Sequence, residues 1–211
     1  MIIVTKTVTA KEMQSADQFT IQTIGIPGMV LMERAALALR EVVQEKFVHQ
    51  LSQVVIVAGS GNNGGDCLAL ARLLHLQKVP VTILNVGNPD HASQQHLEQD
   101  HICQYYQIPQ TRDLSILNQA SLIVDAIFGV GLDRPVAGNY LTVISAINQA
   151  TAPVIAVDVP SGMNTDTGEI MGAAVQANAT VTMAFNKQGL TTDSGQQLAG
   201  EVIVADDIGI Y

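Results

Sequence analysis

Short apolar runs recur along the chain, separated by longer stretches in which apolar residues return with helical spacing. The runs are rich in β-branched and aliphatic side chains and cover residues 54–58, 81–86, 122–125, 154–157, 180–185 and 202–204. A strand that is buried on both faces has this nearly continuous pattern, because neither face meets water. The pattern therefore predicts a parallel sheet that is covered by helices on both sides.

Helices are predicted between these strands over residues 66–77, 91–104, 114–119 and 137–149. Strands that alternate with helices form βαβ units, whose crossovers are right-handed. The sequence thus predicts an α/β fold with a mostly parallel, doubly wound sheet.

Two further helices are predicted ahead of the first strand, over residues 9–23 and 28–47. In the first, Thr9 and Glu12 have the spacing of a capping box. In the second, the apolar residues spread more than halfway round the helix, whereas an amphipathic surface helix has a narrower stripe. This helix is either sandwiched inside the fold or also packs against a second subunit.

The composition indicates a globular chain. Of 211 residues, 47% are hydrophobic and 14% are charged, which excludes a disordered acidic protein. A chain of this length can build a core without disulfides or a structural metal, and we expect a single domain over residues 1–211. The net charge of −9 argues against a nucleic-acid partner, which needs clustered Lys and Arg.

The cysteines and the N-terminal residues indicate the cellular compartment in which we expect the protein. Cys67 and Cys103 are far apart and form no Cys-x-x-Cys motif, which is typical of a reducing compartment. The apolar run at the start is too short for a signal-peptide core, and no segment has the roughly 18–20 apolar residues that a membrane span needs. We therefore expect a cytoplasmic protein without membrane association.

Residues 59–66, Gly-Ser-Gly-Asn-Asn-Gly-Gly-Asp, join the first apolar strand to a helix. A glycine-rich loop at a helix start can bind phosphate through backbone N–H groups. The next strand ends without the acidic residue that holds a ribose in ordinary dinucleotide sites, which disfavours a hydride-transfer enzyme. The two amides and the carboxylate of this loop can face a ligand, or they can serve as turn formers and helix caps.

Two more strands end in carboxylates, at Asp125 and Asp158, and each leads into a polar loop. Ligands of open α/β sheets lie outside the carboxyl ends of strands. Asn63, Asp125 and Ser161 together offer amide, carboxylate and hydroxyl oxygens, which suit an alkali or alkaline-earth cation. Each aspartate could instead cap the loop that follows it.

No zinc site is expected from the histidines. His91, His96 and His101 recur every five residues on a predicted helix, unlike the i, i+4 pair of a zinc site. We expect these side chains to face solvent.

Taken together, these segments resemble the YjeF N-terminal domain family, the NAD(P)H-hydrate epimerases. The matching segments are residues 31–35 (Leu-Met-Glu-Arg-Ala), 59–66, 71–72, 125–135 and 157–162 (Val-Asp-Val-Pro-Ser-Gly), with weaker matches at 186–190 and 200–202. They occur in the family's order over essentially the whole chain. Cys67 and Asn186 depart from the family pattern, which usually has Gly and Pro at these positions.

The resemblance implies a Rossmann-like three-layer α/β/α sandwich and a homodimer. It implies an isomerase that interconverts the R and S epimers of NADHX and NADPHX, the hydrated, damaged forms of NADH and NADPH. This is a cofactor-repair step, and an ADP- or ATP-dependent dehydratase on another chain would complete the repair.

The resemblance also implies which residues form the site. By motif position, Asn63, Asp125 and Ser161 hold one potassium ion (K⁺) per subunit. The substrate-binding residues are Asn62, Asn63, Gly64, Gly65, Asp66, Gly129, Val130, Gly131, Leu132, Asp133, Arg134, Pro135 and Asp158.

The implied reaction needs a general acid–base group. The ring nitrogen of the hydrate expels the neighbouring hydroxyl, and water re-enters the planar iminium from either face, so protons must be given and taken. Asp158 is the first catalytic candidate and Lys187 the second, although Lys187 could also be a surface or phosphate-facing lysine.

Two alternatives stay open at this point. The chain could be a non-catalytic nucleotide-binding scaffold or interaction module of the same fold, but such a module need not keep Asp125, Asp158 and the polar loop together. Cys67 could be a reactive thiol near a helix N-terminus or a small packed side chain.

Overall fold

The computed structural model describes residues 6–211, and the first five residues of the apolar chain start lie outside this range. The helices are α1 (Ala10–Phe19), α2 (Gly28–Lys46), α3 (Asn62–Leu76), α4 (Gln94–Tyr105), α5 (Asn139–Gln149) and α6 (Asp193–Ala199). The strands are β1 (Thr7–Val8), β2 (Val54–Ala58), β3 (Val81–Asn85), β4 (Gln110–Thr111), β5 (Leu122–Ala126), β6 (Val154–Val157), β7 (Ala179–Met183), β8 (Asn186–Lys187) and β9 (Glu201–Ala205).

Seven strands form one parallel sheet in the order β4-β3-β2-β5-β6-β7-β9. The chain enters at β2, moves outwards through β3 and β4, crosses to β5 on the other side of β2, and moves outwards again to β9. The sheet is therefore doubly wound, as predicted, and its switch point lies between β2 and β5. Ligand sites in such sheets form at the carboxyl ends of the strands beside this point.

Alternate strand residues enter two separate cores. On β2, Val54 and Ile56 pack with α2 and α3, whereas Val55 and Val57 pack with α5 on the opposite face. Both faces of the central strands are buried for this reason, and the runs are continuously apolar. The result is the predicted α/β/α sandwich, with α1 and α2 as the two extra N-terminal helices.

Helix α2 is only partly enclosed by its own chain. It buries a face that includes Leu39 and Val43, but Val30 and Leu37 remain exposed. Packing against a second subunit therefore stays a prediction for this helix.

Several elements differ from the sequence prediction. The capping box of Thr9 and Glu12 starts α1 as predicted, but after Phe19 the helix continues as a π-helical turn over Thr20–Ile24. The predicted helix at Leu114–Gln119 is a 3-10 helix, and α6 and the two-residue strands β1, β4 and β8 are missing from the prediction. These segments are too short to show a hydrophobic period.

The start of α3 lies very close to the ends of β2 and β5. The helix begins at Asn62 rather than at Asp66, so the polar segment that was expected to be a loop forms the first turn. A Cβ on Gly64 would lie 2.0 Å from the carbonyl oxygen of Gly59, and a Cβ on Gly59 would lie 2.0 Å from that of Ile127. Only glycine fits at these two positions, and this closeness brings the helix N-terminus to the strand ends.

We expect Gly64→Ala to lower the free energy of unfolding by more than about 3 kcal/mol, because the added methyl overlaps backbone that cannot move independently. Gly61→Ala in the same segment is the matched control: no atom lies within 4 Å of its Cβ position, and its φ of −84° suits alanine. Urea unfolding of both variants measures the difference. Equal stability of the two variants would contradict the close approach.

Candidate functional site

A cavity of about 850 Å³ opens at the carboxyl ends of the central strands, beside the switch point of the sheet. Helices α1 and α2, the start of α3 and the loop after β5 contribute to its walls. Most of the predicted site residues line it: Asn62, Asn63, Asp66, Gly129, Val130, Gly131, Leu132, Asp133, Arg134, Pro135 and Asp158. Three separate segments of the sequence therefore meet at one concave surface.

The other predicted site residues are buried behind the cavity wall: Gly64, Gly65, Asp125, Ser161 and Lys187. The two glycines pack rather than face the cavity, since a Cβ on Gly65 would lie 2.6 Å from Cε of Met32. Lys187 is fully buried, so the interpretation of this residue as a surface or phosphate-facing lysine is wrong.

Asp158 and Lys187 form a buried ion pair at the cavity wall. The Lys187 Nζ lies 2.6 Å from Asp158 Oδ1 and also donates to the carbonyl oxygen of Met183 at 2.7 Å. Lys187 has no exposed surface, whereas 13% of the Asp158 side chain is exposed. A buried ammonium is costly without a partner, so the pair fixes the Asp158 carboxylate beside the cavity.

Sharp turns at the ends of β6 and β7 place the two partners. Asp158 has φ +70°, and the N–H of Val159 donates to the carbonyl oxygen of Val157, which defines a γ-turn centred on Asp158. Ala184 has φ +60° and is the centre of a second γ-turn, in which the N–H of Phe185 donates to the carbonyl oxygen of Met183. Non-glycine residues rarely adopt positive φ, and such strain is found at functional sites.

The Asp125 carboxylate lies at the end of β5, paired in register with Val57 on one side and Ala156 on the other. Its Oδ1 accepts from Ser161 Oγ at 2.6 Å, and its Oδ2 accepts from the Ser161 backbone N–H at 2.8 Å. Desolvation is the largest influence on this carboxyl and raises its pKa to about 6 in spite of these hydrogen bonds. Its negative charge is therefore undercompensated by the protein.

Asn63 approaches the loop that follows β5, and neither its Oδ1 nor its Nδ2 has a hydrogen-bond partner among residues 6–211, although both atoms are buried. The Asn63 Cγ would lie 3.3 Å from a Cβ on Gly129. Phe128, the residue before Gly129, donates its backbone N–H to Ser161 Oγ at 2.9 Å. A buried amide oxygen without a donor beside an undercompensated carboxylate fits a bound cation. Amide, carboxylate and hydroxyl oxygens are the ligands that such a hard cation prefers.

Asp66 and Asp17 are further carboxyls of the cavity wall. Desolvation raises the pKa of Asp66 well above its ordinary value, and the charges of Asp158 and Asp17 raise it further. Desolvation also raises the pKa of Asp17. The cavity thus holds carboxyls in different environments.

Two sequence interpretations concern residues outside the cavity. Cys67 is fully buried and its pKa is raised well above the ordinary value, mainly by desolvation, so it is a packed side chain and not a reactive thiol. His96 was expected to face solvent, which is wrong, because it is 9% exposed. His96 lies on the face of α4 that packs against α3. Gly65 of α3 has no side chain, and this allows the close approach of the His96 backbone.

The sequence reasoning missed cavity residues from the two ends of the chain. Asp17 comes from α1, and Ile208 and Ile210 come from the tail after β9. The tail is held by an ion pair between Arg34 and Asp207 at 2.7 Å. Arg34 lies in one of the matched family segments, which was the only sequence signal for this arrangement.

Comparison with known proteins finds a family and several relatives. The family model described as YjeF-related protein N-terminus matches residues 28–189. A protein of Limosilactobacillus reuteri (strain DSM 20016) named NAD(P)H-hydrate epimerase is 61% identical, over 98% of this chain and 97% of its own length. A protein of Limosilactobacillus fermentum with the same name is 58% identical, over 97% of this chain and 98% of its own.

A solved structure has the same fold. The crystal structure of yeast ynu0, YNL200c, matches with a TM-score of 0.79 and 25% sequence identity, over 87% of this chain and 82% of that one. Because the family model covers most of the chain and the relatives cover nearly all of it, the chain belongs to the YjeF-related protein N-terminus family.

Proposed function

We propose that this protein is an NAD(P)H-hydrate epimerase that interconverts the R and S forms of NADHX and NADPHX. The observation that carries the proposal is the Asp158 carboxylate, which lines the cavity and is fixed by the buried Lys187. The names of the relatives, which are up to 61% identical over nearly the full length, support the same activity.

The reaction requires proton transfer at a carbon next to the ring nitrogen of the hydrate. The nitrogen lone pair expels the hydroxyl, and water adds to the resulting planar iminium. Asp158 faces the cavity and exchanges protons with the oxygen of this hydroxyl or water, as a general acid–base. Lys187 does not reach the cavity, so we assign it a positioning role: it holds the Asp158 carboxylate in place.

Substrate binding uses the segments that meet at the cavity. The start of α3, with Asn62 and Asn63, presents a helix N-terminus, which favours the negative pyrophosphate of a dinucleotide. The loop of residues 129–135 forms the facing wall. Gly64 and Gly65 act indirectly, by letting the helix approach the strand ends.

A potassium ion is the proposed resident cation. Asn63 Oδ1, the Asp125 carboxylate and Ser161 Oγ would hold it beneath the cavity. Bound there, the ion supplies positive charge that compensates Asp125 and favours the phosphate groups of the substrate. The unpartnered Asn63 amide and the raised pKa of Asp125 support this assignment.

Several broader features belong to the same proposal. We infer that residues 1–211 act as one domain, that two copies form a dimer, and that a dehydratase on another chain consumes the product. The exposed Val30 and Leu37 of α2 are consistent with a subunit contact. Among the described residues no helix is long and apolar enough to span a membrane. The buried free thiols Cys67 and Cys103 fit a cytoplasmic protein.

The first test follows NADHX enriched in one epimer by NMR in potassium buffer. We expect the wild-type protein to accelerate the approach to the equilibrium mixture, and Asp158→Asn to lower kcat by about 10²–10⁴-fold, because an amide cannot accept the proton. Asp193→Asn, at the exposed start of α6, is the matched control and keeps wild-type turnover. No acceleration by a folded wild-type protein would contradict the proposal, and full activity of Asp158→Asn would remove that residue's role.

The second test concerns the cation. We expect Asn63→Ala to raise the potassium concentration that gives half-maximal activity by about tenfold or more, because one buried ligand is lost. Asn62→Ala is the matched control: Asn62 is exposed in the same helical turn, and its removal leaves the potassium dependence unchanged. Identical rates in potassium and in choline buffers would contradict a cation site.

The third test uses the pH dependence of stability in buffer without alkali cations. In the folded state the pKa of Asp125 is about 6, whereas in the unfolded chain it is near its ordinary value of 3.8. The folded state therefore binds more protons between these two pH values. The free energy of unfolding therefore falls as pH rises through this window, by up to about 3 kcal/mol from Asp125. Asp66 and Asp17 change stability in the same direction.

Urea unfolding at a series of pH values measures this fall. Asp125→Asn flattens it and added potassium reduces it, while Asp193→Asn leaves it as in the wild type. A stability that rises between pH 4 and 6 in the potassium-free protein would contradict the uncompensated burial of Asp125.

A further inference from the structure

We propose that Asp66 is a second catalytic residue, which gives its proton to the departing hydroxyl while Asp158 takes a proton from the entering water. The inference rests on the proposed epimerase function and deepens its site. Both side chains line the same cavity, Asp66 from the start of α3 and Asp158 from the end of β6.

Epimerisation needs proton transfer on both sides of the ring. The hydroxyl leaves from one face of the planar ring, and the water that inverts the centre enters from the other. A single carboxyl fixed on one side, as Asp158 is by Lys187, reaches only one of these faces. A second group of the cavity that carries a proton and reaches the other face would complete the exchange.

The surroundings of the two carboxyls divide these roles. Asp158 accepts from Lys187 Nζ at 2.6 Å and lies within 3.5 Å of the backbone N–H of both Val130 and Met183. Donors of this kind favour a charged carboxylate. Asp66 has no hydrogen-bond donor among residues 6–211 and no paired cation there. Burial without hydrogen-bond donors favours the protonated form of a carboxyl.

The nearby charges act in the same direction. Asp158 and Asp17 are the charged groups that act on Asp66, and both are negative. Their repulsion and the desolvation of the site raise the pKa of Asp66 well above the ordinary range. Two carboxyls whose environments differ in this way can act as acid and base at the same pH.

The proposed step balances without a further reactant. The carbon–oxygen bond breaks with its electron pair on oxygen, the Asp66 proton completes a water molecule, and the nitrogen lone pair forms the carbon–nitrogen double bond. Water then forms a bond to the opposite face and loses a proton to Asp158. Asp158 is now protonated and Asp66 ionised, which is the state for turnover of the other epimer. Proton exchange with solvent restores the original state.

The experiment compares Asp66→Asn with Asp193→Asn, which removes an exposed carboxyl outside the cavity, at the start of α6. We expect Asp66→Asn to lower kcat by at least about 100-fold while the Kd for equilibrated NADHX, measured by calorimetry, changes by less than about threefold. Asp193→Asn is expected to keep wild-type turnover. Asp66→Ser serves as a second variant if Asp66→Asn fails to fold.

A spectroscopic readout is independent of turnover. The infrared band of a neutral carboxyl is expected in the wild-type protein at pH 7, to be lost in Asp66→Asn and to persist in Asp193→Asn. A kcat within about threefold of wild type in both Asp66 variants would overturn the inference, as would a rise in Kd that accounts for the whole loss of activity. A wild-type protein that does not accelerate epimerisation would instead overturn the proposed function itself.

Discussion

The burial of charge at the carboxyl ends of β5 and β6 is the constraint on which the site depends. Asp158 and Asp125 follow apolar strands that are covered on both faces, so water cannot solvate them fully. The Lys187 ammonium compensates the charge of the Asp158 carboxylate. Lys187 lies on β8, which pairs with β1, and Val8 of β1 is in register with Lys187. The N-terminal strand thereby helps to enclose the ion pair.

The carboxyls around the cavity differ in their properties because each has different hydrogen-bond partners. Asp158 has an ammonium group, Asp125 has the hydroxyl and N–H of Ser161, and Asp66 has no donor among the described residues. The same chemical group can therefore serve as base, cation ligand or acid, according to the hydrogen-bond donors that the neighbouring elements supply. In the proposed complex of this acidic chain with an anionic dinucleotide, the phosphates would contact a helix N-terminus and not these carboxyls.

Much of this arrangement could be predicted from the sequence. Six strands of the sheet were found because their residues form continuous apolar runs, and the strand-end argument led to Asn63, Asp125 and Asp158 before any resemblance was used. The two wrong predictions of side-chain exposure share a cause: His96 and Lys187 are polar residues whose burial depends on distant parts of the chain. A local pattern treats a polar side chain as exposed, and only packing against another element reveals the opposite.

The sequence by itself determined the alternation of strands and helices, the doubly wound sheet and the family, because these follow from hydrophobic periodicity and from short motifs of fixed order. The tertiary structure alone decided that Lys187 lies behind Asp158, that Asp66 lacks a donor and that Asp17 and the C-terminal tail close the cavity. The physical reason is distance along the chain. Desolvation and charge pairing act between groups that are close in space, and residues 17, 66, 158 and 187 become neighbours only when the sheet and its covering helices have assembled.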